Sequence, residues 1–219
     1  AKNLAFVSSS RDHKEAQLRV ANTTTGEVRD IMKEVQKTYF ESGDGFSNWH
    51  YLSGTNEVIW FSERDNWGHL YLIDLKTGKI KNRITKGEWA VQQVRYVDRK
   101  NRKIYFSAGG KEDGNPYYWY YYSVNMDGSE LKLLTPEYAH HTVNFSPKYK
   151  YFIDSYSTPV MPPVTVLRDM DGNQLIKLEE ADISQLMASG WKPPIQIKTK
   201  ARHNGRLWRK GEVWRNSGL

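Results

Sequence analysis

The stretch IWFSERDNWGHLYLIDLKTGKIKNRIT, residues 59–85, decides the fold. It opens with an apolar-aromatic run ending in Ser62, passes through a polar turn, and resumes as a second apolar run before Thr77-Gly78. On an extended chain, Leu70, Leu72 and Asp74 of that second run fall on one face and Tyr71, Ile73 and Leu75 on the other. Apolar residues on both faces describe a strand whose sheet is covered on both sides. Thr77-Gly78 then places a glycine where a tight hairpin needs positive φ, and a third strand follows.

The same plan recurs in AFVSSSRDHKEAQLRVANTTTGEVRDIM (5–32), IYFSAGGKEDGNPYYWYYYSVNMDGSELKLLT (104–135) and YFIDSYSTPVMPPVTVLRDMDGNQLIKL (151–178). Ser8, Ser62, Ser107 and Ser155 recur at steps of 54, 45 and 48 residues, and Gly26, Gly78, Gly128 and Gly172 at steps of 52, 50 and 44. These periods suit a propeller blade or a kelch-like unit. A further strand precedes each of the last three segments, at 49–52, 93–97 and 142–145, whereas the first begins without its inner strand. The expected fold class is all-β: about four four-stranded antiparallel blades, with repeats near 3–43, 46–90, 91–139 and 140–180, in a partial propeller over 1–191. Only 181–189 reads as a short helical turn or irregular loop. The opening residues read as the start of a strand and not as a signal peptide. An open set of blades exposes apolar faces and strand edges, which predicts membership of a larger ring or pairing as a homodimer.

Composition narrows the function. The chain has 219 residues, no Cys, 14 Tyr and 8 Trp, so a disulfide scaffold, a cysteine nucleophile and a thiolate metal site are excluded. No run of apolar residues is long enough to span a bilayer as a helix, and mean hydropathy is -0.74. The formal charge of +7 is carried wholly by residues 192–219, which hold eight cations against Glu212. Residues 1–191 are neutral, so the body lacks the basic face that phosphate binding requires, and no nucleic-acid partner is expected. The basic end reads as a solvated tail.

WFSERDNWGHLYLIDLKTG (60–78), ITKGEW (84–89), VNFSPKYKYFI (143–153) and YSTPVMPPVTVLRDMDG (156–172) together resemble the N-terminal β-propeller region of dipeptidyl peptidase IV-like enzymes, of the prolyl oligopeptidase clan of serine peptidases. The likeness runs over about 200 of the 219 residues. It implies an eight-bladed propeller preceding an α/β-hydrolase domain, with this chain at the last blades and 192–219 as the linker toward that domain. It further implies a parent that releases N-terminal dipeptides from peptide substrates, in the periplasm or secreted, with no cofactor. The propeller's role would be steric, narrowing access and building part of the pocket wall.

The family's working residues transfer poorly. Its nucleophile lies in a G-x-S-x-G elbow, which projects the Ser from a strained turn. The nearest stretch, Gly45-Phe46-Ser47-Asn48-Trp49, lacks the closing Gly, so no catalytic residue is assigned. The paired glutamates that hold the substrate amine have no counterpart, because Glu179-Glu180 falls in the last blade's outer strand. The loop entering the second unit leaves Glu41, Asp44 and Phe46 as the candidate substrate-pocket rim, without the family's aromatic-basic pair.

Other candidates have plainer readings. PYYWYYY (116–122) suits a stacking platform for sugars or peptides, or a strand buried between blades, and the alternation favours the strand. His140-His141 point to opposite faces of a strand and do not jointly ligate a metal, so no metal site is expected. Glu63, Asp65 and Asp74 lack calcium-loop spacing and read as loop residues. The tail after Lys200, with little alternation, reads as an altered end. A self-contained binding propeller for a peptide, protein or glycan stands as the alternative to a peptidase segment, and a small four-bladed enzyme comes last.

Overall fold

The computed structural model describes residues 2–40, 49–199 and 211–215. The fold is all-β, built of propeller blades. The first sheet has three strands in the order β1-β2-β3, formed by Asn3–Ser9, Glu15–Asn22 and Val28–Val35. The second runs β4 (His50–Leu52), β5 (Glu57–Ser62), β6 (His69–Asp74) and β7 (Ile80–Arg83). The third runs β8 (Ala90–Asp98), β9 (Lys103–Gly109), β10 (Trp119–Asn125) and β11 (Lys132–Leu133). The fourth runs β12 (His140–Phe145), β13 (Tyr151–Thr158), β14 (Met161–Asp169) and β15 (Gln174–Glu180). Among the described residues the first sheet has three strands and the other three blade sheets have four.

After β15 comes a single turn of helix, α1 (Ser184–Ala188). Beyond it the described residues contain an antiparallel pair, β16 (Ile195–Thr199) with β17 (Gly211–Arg215). The alternation of Ile195 and Ile197 with Gln196 and Lys198, and the β-favouring Val213 and Trp214, explain it.

The chain divides into two compact units, Ala1–Ala108 with Ser123–Lys132, and Gly109–Tyr122 with Leu133–Leu219. In the first unit the first two sheets meet face to face. Ala16, Leu18 and Val20 of β2 join Val58, Trp60, Ile73 and Leu75 from the second sheet in one apolar cluster. Ile59, Leu70 and Leu72 project the other way and are buried too, as expected for a sheet covered on both sides. Leaving such residues in water would forfeit about 1.5–3 kcal/mol for each large side chain, which is why both faces are covered.

The turn glycines have φ of +74, +70, +89 and +85 at Gly26, Gly78, Gly128 and Gly172. At Gly78 the absence of a side chain also permits contact, since a Cβ there would lie 2.2 Å from the Ile31 carbonyl oxygen on the first sheet. Gly26 has open space at the same point.

Buried acids pin neighbouring sheets of this unit together. Glu34 of β3 accepts hydrogen bonds from Trp60 Nε1 at 2.6 Å, Arg64 at 2.7 Å and the Ser62 hydroxyl. Glu57 of β5 accepts from Lys81 of β7 and, at 2.9 Å, from Arg102 before β9. Burial pushes the Glu57 carboxyl up, but Arg102 and Lys81 outweigh it and hold it at about 2.

Candidate functional site

The second unit carries a groove of about 540 Å3 lined by Asn115, Tyr117, Tyr118, His140, Ser157, Thr158 and Pro159. Its far wall is the end of the fourth sheet, where His140 starts β12 opposite Ser157 near the end of β13. The near wall is the loop before β10. Gly114 adopts φ +102, and a Cβ there would lie 2.3 Å from the Tyr138 ring, so the loop is pressed against that ring. The Tyr138 hydroxyl accepts the Asn115 backbone N–H at 3.2 Å, and Asn115 Oδ1 accepts that of Tyr117 at 2.9 Å.

This arrangement divides the aromatic run. Tyr118, Tyr120, Tyr121 and Tyr122 are buried, as the strand reading expects, but β10 begins only at Trp119 and Tyr117 is 50% exposed at the mouth of the groove. The reason is Pro116, which turns the chain before the strand starts. Tyr122 is pinned by its hydroxyl, which donates to Glu112 at 2.8 Å. Burial raises the Tyr120 phenol to about 12, so it stays neutral.

The adjacent histidines separate as expected, and each has its own setting. His140 stacks obliquely on Trp119 at 5.4 Å, and its Nδ1 accepts the Trp119 backbone N–H at 3.3 Å. Burial lowers its proton affinity, against an opposing bond to the Tyr117 carbonyl, so the ring is neutral at pH 7. His141 points into the blade and is buried. Its Nδ1 lies 2.9 Å from Asp154 and its Nε2 2.9 Å from the Glu137 carbonyl. Both ring nitrogens are therefore engaged, which fixes the ring's orientation in the blade. Arg168, 2% exposed, joins Asp154 at 3.0 Å and the Glu137 carboxylate at 2.6 Å.

Glu137, His141 and Asp154 bring their ligand atoms within 4.8 Å of one another. Arg168, however, already supplies the cation between the two carboxylates, and a metal there would have to overcome its charge. The cluster fits a buried ionic clasp that fixes the blade behind the groove.

The expected pocket-rim residues Glu41, Asp44 and Phe46 lie outside the described residues, as do Gly45 to Asn48 of the near-miss elbow. Glu179 and Glu180 sit on the exposed outer strand β15, with Glu180 paired to Lys177. Asp65 binds Arg83 at 2.9 Å and receives the Tyr71 hydroxyl at 2.5 Å, while Asp74 caps its own hairpin through Lys76 and Thr77. Sequence reasoning missed the clasp and Asn115. The signal was available: Val164, Val166 and Arg168 share one face of β14, so a charge stands at a core position.

The family described as the dipeptidyl peptidase IV (DPP IV) N-terminal region matches residues 1–163. The chain belongs to this family. A dipeptidyl peptidase 4 from Trichophyton rubrum is 31% identical over 131 residues, covering 58% of this chain and 16% of its own length. Another from Arthroderma otae is 34% identical over 116 residues, covering 51% of this chain and 14% of its own length. The chain therefore spans only a small part of these fungal relatives. Among solved structures, Porphyromonas gingivalis dipeptidyl peptidase 4 superposes with a TM-score of 0.75 at 22% identity, over 92% of this chain and 28% of that one. A putative dipeptidyl aminopeptidase IV from Bacteroides ovatus gives 0.72 at 23%, over 91% and 30%. These two likenesses speak for the fold.

Proposed function

We propose that this chain is the non-catalytic blade segment of a dipeptidyl peptidase IV-like serine exopeptidase, half of an eight-bladed propeller whose α/β-hydrolase domain follows the basic tail. The observation that carries this reading is the family match over residues 1–163, in a chain built of propeller blades. The serine mechanism of these enzymes needs a nucleophile elbow, and no G-x-S-x-G stretch occurs in the given sequence. Their contribution is steric: a ring of blades narrows the path to the triad, so that specificity comes from excluding bulky chains. The loop holding Glu41, Asp44 and Phe46 forms part of the pocket rim, and the parent releases N-terminal dipeptides from short peptides.

The 219-residue chain is expected to release no chromophore from Xaa-Pro substrates, and turnover that persists through purification would overturn the non-catalytic assignment. In the parent enzyme, removal of these blades should extend cleavage to larger chains. An unchanged size limit would refute the gating role. Exposed Val28 and Val35 on the first sheet, and Leu175, Ile176 and Leu178 on the fourth, favour pairing with a second copy when the chain stands alone. Light scattering at micromolar concentration should then show a dimer, and a monomer would rule that out.

A further inference from the structure

The first sheet stops at three strands among the described residues, and β1 is its edge. Backbone N–H and C=O groups along an open edge are a template for another strand, so proteins break up such edges with charge, proline, bulges or brevity. The other blade edges are short or carry ionisable side chains. β4 is three residues long, β8 holds Arg95 and Asp98, and β12 opens with two histidines. On the opposite edges β3, β7 and β15 carry charged residues, and β11 is two residues long. β1 differs: Asn3-Leu4-Ala5-Phe6-Val7-Ser8-Ser9 has neither charge nor proline. Its pairing with β2 runs from Asn3–Asn22 to Ser9–Ala16 without a bulge. Ala5 and Val7 turn toward the apolar cluster shared with the second sheet. Leu4 and Phe6 lie on the other face, with Leu4 57% exposed.

We propose that β1 is a self-pairing edge: two copies of the chain join β1 to β1, antiparallel and centred on Phe6, into one continuous six-stranded sheet. The proposal rests on the self-association put forward above and assigns its interface. The strand is self-complementary in this register, the one in which all seven residues find a partner. Phe6 stands opposite Phe6 of the second copy, Ala5 opposite Val7, Leu4 opposite Ser8 and Asn3 opposite Ser9. Residues directly opposed across antiparallel strands share a face. Ala5 and Val7 therefore meet over the apolar cluster, and the two Phe6 rings form an aromatic cross-strand pair on the other face. A strand with charged side chains would lose their hydration over that cluster, whereas a second β1 brings only Ala5 and Val7 there. Beyond the strand ends Lys2 stands opposite Ser10, so no like charges face each other. Two-fold pairing occupies the edge on both copies, so association stops at the dimer.

The test is a single cysteine introduced into the full chain, which has none of its own. Directly opposed strand residues have Cα atoms about 4.5–5.5 Å apart, within reach of a disulfide. Phe6→Cys should therefore be converted by copper phenanthroline largely to a disulfide-linked dimer. Leu175→Cys, on the exposed outer strand of the fourth sheet, should link about tenfold more slowly. Phe6→Lys sets two like charges opposite each other and should weaken dimerisation about tenfold in sedimentation at micromolar concentration. Far-ultraviolet circular dichroism should show its fold retained. If the unaltered chain dimerises but Phe6→Cys links no faster than Leu175→Cys, the β1 interface is overturned and self-association stands. A monomeric chain would overturn both. Slow exchange at every β1 amide of monomeric Phe6→Lys would show the edge already covered by another part of the chain, and would overturn the interface also.

Discussion

Arg168 shows what one buried side chain contributes. It satisfies Asp154, the Glu137 carboxylate and the Gly172 carbonyl at once, from a position closed to solvent. Arg168→Met leaves Asp154 buried without its main cation and should destabilise the chain by about 3–5 kcal/mol in urea unfolding. The recurring serines give a second test at this scale. Ser62 donates to Glu34, whereas the Ser107 hydroxyl is buried with no hydrogen-bond partner in the described structure. Ser62→Ala should cost about 1–3 kcal/mol by leaving Glu34 short of a donor, while Ser107→Ala should be neutral or stabilising by about 1 kcal/mol. Equal effects at the two positions would show that the serine has one role in every blade. The spacing of these serines is visible in the sequence, but whether a serine finds a partner depends on the sheet that packs opposite.

At the scale of the element, the hairpin turns unite conformation with packing. The turn at Gly78 needs positive φ and also touches the preceding sheet, while that at Gly26 needs only the φ. Gly26→Ala should therefore cost about 1 kcal/mol, and Gly78→Ala about 2–4 kcal/mol, read as the difference in unfolding midpoint at constant m-value. The hairpins themselves were legible from Thr-Gly and Asp-Gly between alternating runs. The strand pair in the tail was harder to read, because its halves are only 5 residues long and β17 does not alternate. Pro116 likewise decided where β10 begins and so which tyrosine reaches solvent.

Across the described residues, acid sensitivity follows from neutral histidines, His69 buried and His50 and His140 partly buried. Burial lowers the proton affinity of His50, His69 and His140, reinforced by Arg99 at His50 and opposed by carbonyl bonds at the other two. Each binds more protons unfolded than folded below its ordinary value of 6.5, so their contribution is complete above that pH and declines as pH falls through it. Glu57 adds a second window, complete above the ordinary value of 4.5 and lost toward about 2. Thermal unfolding should show a falling midpoint below pH 6.5 and a steeper fall below 4.5. A flat profile between pH 7 and 5 would mean that the histidines ionise freely in the folded state.

The sequence by itself determined the all-β class, the blade strands and their hairpins, because these depend on local alternation and on residues that tolerate particular φ values. It also located the charge, since a count along the chain needs no fold. Tertiary structure alone decided which partners Glu34, Glu57 and Arg168 meet in the interior. Those outcomes depend on which side chains from distant strands meet, and burial converts such meetings into strong interactions that no local pattern encodes.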